Sequence, residues 1–307
     1  MRLYRGDPST WDAGAHGSAV AIGVFDGVHR GHEAVFEALH EAAEDSQLVA
    51  MTFSTHPDGV VSGEPAPPEL TTLDRRLELF SATGLDATAL IDFDSEIMRL
   101  SPEDFVERYL VEGLNAKVVA VGEGFRFGHG AAGTVDTLRL LGQEHGFTLI
   151  STPIVTIYGT QVRSSAIRAA IATGGVDLAS RMLGRPFEVD GEVVPGDRRG
   201  RTIGFPTANI AMPPGFVRPA GGVYAVLCTV DGIGHDGVCN FGTRPTFGGG
   251  PETIEVHLLD VDTDLYGRTM RVAFVDRIRS EHRFASVDEL VAQIRSDIDH
   301  ARVILSD

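Results

Sequence analysis

The stretch "AIGVFDGVHRGHEAVFEAL", residues 21–39, reads as an apolar strand, a turn punctuated by Gly23 and Gly27, and a helix beginning near Gly31. Val35, Ala38, Leu39 and Ala42 continue at the spacing of one helix face. A strand feeding a helix through a glycine turn is the first half of a βαβ unit. In open α/β sheets ligands collect at the carboxyl ends of strands, where helix N-termini present unpaired N–H groups and the positive end of a dipole. His29 and His32 fall at that place. Three readings of the pair stay open. A zinc pair on a helix usually stands at i and i+4, and no third ligand is near. Two histidines can simply decorate a surface. Both imidazoles can also donate hydrogen bonds to phosphate oxygens and stabilise charge developing in nucleotidyl transfer. That step can be a direct displacement, which needs positioning and electrostatics rather than a protein nucleophile.

Working outward, short β-branched runs alternate with helical patterns from residue 18 to about 151. "SAVAIGV", "LVAMTF", "TALIDF", "KVVAV" and "TLIST" read as strands. "SPEDFVERYLVEG" reads as a helix with Ser101 as N-cap, Pro102 at its first position and Gly113 as its stop. The alternation predicts right-handed crossovers and a parallel sheet covered on both faces, a doubly wound Rossmann-like domain. "RSSAIRAAIATGG" predicts a further helix capped by Ser164 or Ser165, and a short helical stretch ends at "MLGRPF". The domain boundary is expected there, giving a first domain over 1–184 and a second over 185–307.

Past that point the rhythm changes. "FEVDGEVV", "TANIAM", "GVYAVLCTVDG", "HDGVCNFG", "TIEVHLLDV" and "MRVAFVDRI" are short strands separated by Gly, Pro and Asp, which suggests a small antiparallel β-barrel. "SVDELVAQIRSDIDHARVIL" opens with a Ser286/Glu289 capping box and predicts one C-terminal helix packed on the barrel.

Composition bounds the function. The 307 residues are 43% hydrophobic and 22% charged, enough for two domains with cores of their own. The net charge of −17 opposes nonspecific binding to nucleic acid or anionic lipid, so neither is an expected partner. No apolar run approaches a membrane span, the N-terminus lacks the apolar core of a signal peptide, and Cys228 and Cys239 stand without a zinc-like cluster. A cytoplasmic protein is expected, with homo-oligomerisation left open.

In so acidic a chain any anionic ligand must be held by local groups. "PGDRRGRTIGFPTANIAM" sets Arg198, Arg199 and Arg201 around Gly196 and Gly200, either a polyphosphate clamp or solvated loop charge. Thr207 and Asn209 lie two apart; on a strand both would face one side and could ligate Mg²⁺, and in a turn they would do nothing of the kind. In "IEVHLLD", Glu255 and His257 share one strand face and the apolar Ile254, Val256 and Leu258 the other.

"GVFDGVHRGH" resembles the HxGH motif of the nucleotidyltransferase superfamily, in the form found in bacterial bifunctional riboflavin kinase/FMN adenylyltransferases. "FSTHP", "LTTLDRRLELF", "LSPEDFV", "VGEGFRFGHGAAGT", "SSAIR" and "MLGRP" follow that family's order. In the second half "RGRTIGFPTAN" resembles the PTAN signature of riboflavin kinases, followed by "GGVYAV", "GVCNFGTRPTFGGG", "IEVHLLD", "DLYG" and "RIRSEHRF". The resemblance implies two reactions, riboflavin to FMN and FMN to FAD, with riboflavin, FMN, FAD and ATP as small-molecule ligands and Mg²⁺ as cofactor.

The same resemblance assigns residues. For adenylyl transfer it implies that His29 and His32 meet the ATP phosphates, within a turn that includes Gly23, Phe25, Asp26 and Gly27. Ser164, Ser165 and Arg168 would embrace the β and γ phosphates. For the kinase it implies Gly196, Gly200, Arg201, Thr207 and Asn209 at Mg-ATP, with Thr207 and Asn209 as metal ligands. Glu255 would be the general base on the ribityl 5′-hydroxyl, and Arg279, Glu281 and Phe284 would close over the flavin. Three positions depart from the pattern. Gly124 replaces the Asp or Asn before "FRFG", Thr55 the first proline of a proline-flanked histidine, and Arg163 the first residue of a serine pair. Gly124 supports a rival expectation, a riboflavin kinase whose first domain binds nucleotide or flavin for regulation and adenylylates weakly or not at all.

Overall fold

The computed structural model describes residues 1–196, 199–243, 252–261 and 264–306. The chain divides into two compact units, Met1–Ser164 and Ser165–Asp307. This division falls before the predicted boundary near 184.

The first unit is built on strands β1 (Arg2–Tyr4), β2 (Ser18–Ile22), β3 (Gln47–Phe53), β4 (Ala87–Ile91), β5 (Ala116–Gly122) and β6 (Thr148–Thr152). They form one parallel sheet in the order β1-β4-β3-β2-β5-β6. Every residue of β2 and β4 is buried, as expected of parallel strands covered on both faces. The alternation of side chains sorts them between two cores. Val20 and Ile22 of β2 join Met51, Val119 and Val121 on one face. Ala19 and Ala21 join Ala50 and Ala120 on the other.

The alanine-rich face is covered by α1 (Arg30–Ala42) and α3 (Leu73–Ala82), whose Phe36, Leu39 and Phe80 are buried against it. Small residues on the strands let these large side chains come close. The opposite face is covered by α4 (Pro102–Phe105), the segment that continues it, and α5 (Val135–His145). A single helix was expected over 101–113. Instead its regular hydrogen bonding stops at Phe105 and a π-type turn runs over Val106–Gly113. The wider i→i+5 turn brings Val106, Tyr109, Leu110 and Gly113 together on the buried side. At Gly113 a β-carbon would stand 2.9 Å from Pro8, so the stop is also a close-packing position. The short helix α2 (Pro57–Ser62) follows β3, and the hairpin β7 (Thr156–Ile157) and β8 (Thr160–Gln161) follows β6.

Helix α6 (Ser164–Ala172), whose first residue closes the first unit, and α7 (Val176–Leu183) precede a closed antiparallel barrel. Its strands are β9 (Phe187–Val194), β10 (Ala208–Ile210), β11 (Gly222–Val230), β12 (Ile233–Thr243), β13 (Glu252–Leu258) and β14 (Thr269–Ser280), with the turn α8 (Arg199–Thr202) between β9 and β10. Around the barrel the order is β10-β13-β12-β11-β14-β9, and β9 pairs with β10 to close it. One cross-strand row, Tyr224, Cys239 and Val256, fills the interior and is fully buried. Burial also pushes the Cys228 thiol up to about 12, which keeps it protonated and chemically quiet at neutral pH.

The C-terminal helix α9 (Val287–Leu305) packs on β11, β12 and β14. Its capping box forms in altered register. Ser286 Oγ accepts the Glu289 N–H, as expected, and Glu289 Oε2 accepts from Ala285 N rather than from Ser286.

Candidate active sites

The parallel sheet reverses its direction of growth at β2. From β2 the chain moves to β3 on one side, and only later to β5 on the other. The crevice outside the carboxyl ends of β2 and β5 is therefore a topological switch point. The turn after β2 lies there. Phe25 and Val28 adopt left-handed φ values of 53° and 40°, and Gly27 reaches 86°. Such values are costly for side-chain-bearing residues, so surrounding structure must hold them. Asp26 does much of this. Its buried carboxylate accepts the N–H groups of Leu70 (2.9 Å) and Thr71 (3.2 Å), and its carbonyl accepts Ser164 Oγ (3.0 Å). Gly27 N–H in turn donates to Thr71 Oγ1 at 3.1 Å. The Phe25 ring packs between the edge of His32 and the aromatic core formed by Phe36 and Phe80. A β-carbon on Gly23 would come within 2.9 Å of that ring.

His29 is the N-cap of α1 and His32 its third residue, and the two cap each other. His29 Nδ1 accepts the His32 N–H at 3.3 Å, and His32 Nδ1 accepts the His29 N–H at 3.3 Å. Their rings stack with centroids 3.5 Å apart. A nitrogen that accepts a backbone N–H carries its lone pair there, so the geometry puts the proton of each neutral imidazole on Nε2. Two Nε2–H donors are thus held side by side at the first turn of a helix, where anions are favoured. Gly31 makes room for this: a β-carbon there would stand 3.1 Å from His29 Cε1.

Ser164 reaches the turn through its bond to Asp26. Ser165 and Arg168 lie in the first turns of α6 and belong to the second compact unit. Gly124 lies just beyond β5, across the switch point from the histidine turn. No atom lies within 4 Å of where its β-carbon would be.

In the barrel, Asn209 of β10 pairs in register with Glu255 of β13, and Glu255 pairs with Asn240 of β12. Directly opposed residues on antiparallel strands project to the same face, so the three form a polar row. Ile254 and Val256 point the other way and are fully buried. The row borders a cavity of about 370 Å³ lined by Asn240, Glu255, His257, Arg279, Glu281 and Phe284, with Leu290 and Ile294 of α9 as its apolar wall. A second cavity of about 360 Å³ is lined by Arg201, Thr207, Leu258, Val261, Leu265 and Tyr266. Thr207 lines both.

Two glycines permit close approach here. A β-carbon on Gly196 would overlap the Asn209 amide, and one on Gly200 would overlap the Phe205 carbonyl. Arg279 is committed to α9. Its Nε and Nη2 donate to Asp297 at 2.9 and 2.8 Å, and its guanidinium lies 5.6 Å from the Phe284 ring centre. Arg198 and the stretch 244–250 lie outside the described residues, as does the side chain of Arg199.

The sequence model described as FAD synthetase matches residues 12–166. The one described as riboflavin kinase matches 183–305. A bifunctional riboflavin kinase/FMN adenylyltransferase of Escherichia coli strain K12 is 42% identical over 302 residues, covering 97% of this chain and 96% of the relative. The chain belongs to the bifunctional riboflavin kinase/FMN adenylyltransferase family. Its Bacillus subtilis relative of the same name is 37% identical, covering 92% of this chain and 91% of that one. A crystal structure from Streptococcus pneumoniae described as a macrolide-efflux protein shares the fold, with a TM-score of 0.89 at 31% identity over 98% of this chain and 99% of that one.

Within the family's frame, the histidine turn and Ser164 come together in the first unit. Thr207, Asn209, Glu255, Arg279, Glu281 and Phe284 come together on one side of the barrel. Sequence reading passed over Asn240, although its alternation with buried Cys239 and Phe241 was visible. It also passed over the second cavity, whose Leu265 and Tyr266 come from an irregular segment without periodicity.

Proposed function

We propose that this enzyme phosphorylates riboflavin on the outer face of the barrel and adenylylates FMN at the histidine turn. In the first reaction Glu255 accepts the proton of the ribityl 5′-hydroxyl as that oxygen takes the γ-phosphoryl group of ATP, leaving FMN and ADP. The flavin occupies the cavity bordered by Glu255, Phe284 and α9, and the nucleotide the one bordered by Arg201, Leu258 and Tyr266. The two meet at Thr207, where the phosphoryl group crosses. The donors of Thr207 and Asn209 are hard oxygens, few in number, as suits Mg²⁺ that keeps most of its coordination for phosphate and water. When bound, the ion supplies charge neutralisation to the transferring phosphates.

In the second reaction a phosphate oxygen of FMN attacks the α-phosphorus of ATP and pyrophosphate leaves. His29 and His32 donate from Nε2 to the phosphate oxygens that gain charge. The observation that carries this assignment is their reciprocal capping, which turns both Nδ1 atoms to the backbone. Ser164, Ser165 and Arg168 hold the departing phosphates. The ligands are riboflavin, FMN, FAD and ATP, and two free buried cysteines support a cytoplasmic setting. We assign the domains to 1–184 and 185–307, a division supported by the riboflavin kinase match, which begins at residue 183.

Product chromatography after incubation with riboflavin and Mg-ATP tests the reading. His29→Ala should stop at FMN with FAD formation down at least a hundredfold. Glu255→Gln should make no FMN from riboflavin yet convert supplied FMN to FAD. Parallel loss of both activities in either variant refutes two separate sites. FMN as the sole product of the unmodified enzyme would favour the regulatory first domain for which Gly124 argues.

A further inference from the structure

Arg76 occupies a core position. It lies on the buried face of α3, one turn before Phe80, and is only 4% exposed. Its Nη1 donates to the carbonyl of Val24 at 3.1 Å and to that of Phe53 at 3.3 Å. Val24 opens the turn that carries Asp26, His29 and His32, and Phe53 is the last residue of the neighbouring strand β3. One guanidinium therefore ties together the carboxyl ends of two adjacent parallel strands at the rim of the nucleotide site.

The clamp does not explain the charge. Arg76 Nε is buried and has no hydrogen-bond partner, and among the described residues no carboxylate lies within ion-pair distance of the group. Asp26 and Glu69 are near enough to favour the cation electrostatically, but neither forms an ion pair with it, and Asp26 accepts the N–H groups of Leu70 and Thr71. Desolvation works against the cation and lowers its pKa below the usual arginine value. Burying a charge without a hydrogen-bonded counterion is expensive, and a neutral amide could have bridged the same two carbonyls. In a chain of net charge −17, a cation shielded from salt behind the phosphate-binding turn has a use that a surface cation would fulfil less well.

We propose that Arg76 is a positioning residue of the adenylyl-transfer site: it fixes the ends of β2 and β3 and supplies a permanent buried positive charge behind the ATP polyphosphate. This rests on the reading of His29 and His32 as the phosphate-binding pair. Arg76 touches no substrate; it acts through the turn and through its field.

Arg76→Lys and Arg76→Gln separate charge from hydrogen bonding. Both keep an N–H donor for the carbonyls, and only lysine keeps the charge. In the full-length enzyme, the glutamine variant should raise KM for ATP in FAD formation about tenfold or more, and FMN formation should be unchanged. The lysine variant should stay within about threefold of the parent KM. Equal behaviour of the two, with thermal unfolding matched, would reduce Arg76 to a structural clamp and overturn the role of its charge. Asp26→Asn combined with Arg76→Gln is the second control. If the pair recovers the parent KM, Arg76 merely neutralises Asp26 and the proposal fails. His29→Ala measured alongside separates the two readings. Intact FAD formation in that variant sinks the phosphate-site assignment itself, whereas its loss together with a normal KM in Arg76→Gln sinks only the present inference.

Discussion

Gly124 shows what a single residue leaves open. Its β-carbon would meet open space and its φ is not in the left-handed region, so the backbone does not require glycine there. Gly31, by contrast, has the His29 ring against it, and Gly27 needs a φ of 86°. Just beyond the end of β5, the absent side chain thus answers to no steric necessity. Gly124→Asp should therefore leave the thermal midpoint within about a degree. It should raise kcat/KM for FMN adenylylation about two- to tenfold, the range of one added hydrogen bond of about 0.5–1.5 kcal/mol. Steady-state kinetics with FMN as the varied substrate checks this; a fall in kcat/KM would mean that the open space is itself used by substrate. At this scale the histidine pair was legible in sequence because its spacing matches a helix start. Arg76 was not, because an arginine in "LDRRLELF" reads as the solvent face of an amphipathic helix, and only the fold turns it inward.

At the scale of elements, alternation of strand and helix, together with the change of rhythm after "MLGRP", sufficed to predict a parallel sheet followed by an antiparallel barrel. Strand ends were less exact. "TALIDF" stops at Ile91 and "TANIAM" shrinks to Ala208–Ile210, since the flanking residues turn away where pairing ends. The edge strand β1 has three residues and no pattern to find. The apolar wall of the cavity proposed for the flavin was also hidden, because it depends on how α9 docks. That docking centres on Asp297, whose side chain is 3% exposed and receives three bonds from Arg279 and one from Gln293. Asp297→Ala leaves a largely buried guanidinium without its partner, a loss of about 3 kcal/mol for such pairs. Unfolding by urea should show that loss, and KM for riboflavin should rise more than KM for ATP, because Leu290 and Ile294 of the same helix line the cavity proposed for the flavin. A stable variant with an unchanged riboflavin KM would detach α9 from substrate binding.

At the scale of the whole molecule, two compact units carry two sets of functional groups, and the reactions share one intermediate. FMN is the product of the barrel and the substrate of the parallel-sheet domain. The residues proposed to carry the two transfers differ: His29 and His32 of the first unit for adenylylation, Asn209 and Glu255 of the second for phosphorylation. Lesions should therefore complement in solution. His29→Ala alone converts riboflavin to FMN and stops; Glu255→Gln alone leaves riboflavin untouched. Mixed in equal amounts with riboflavin and Mg-ATP, they should yield FAD after a lag that shortens as enzyme concentration rises, because FMN must be released by one molecule and captured by another. Chromatographic time courses would show FMN rising first and then being consumed. Failure of the mixture to make FAD, with each variant still active in its remaining half-reaction, would mean that FMN must be processed by the chain that made it.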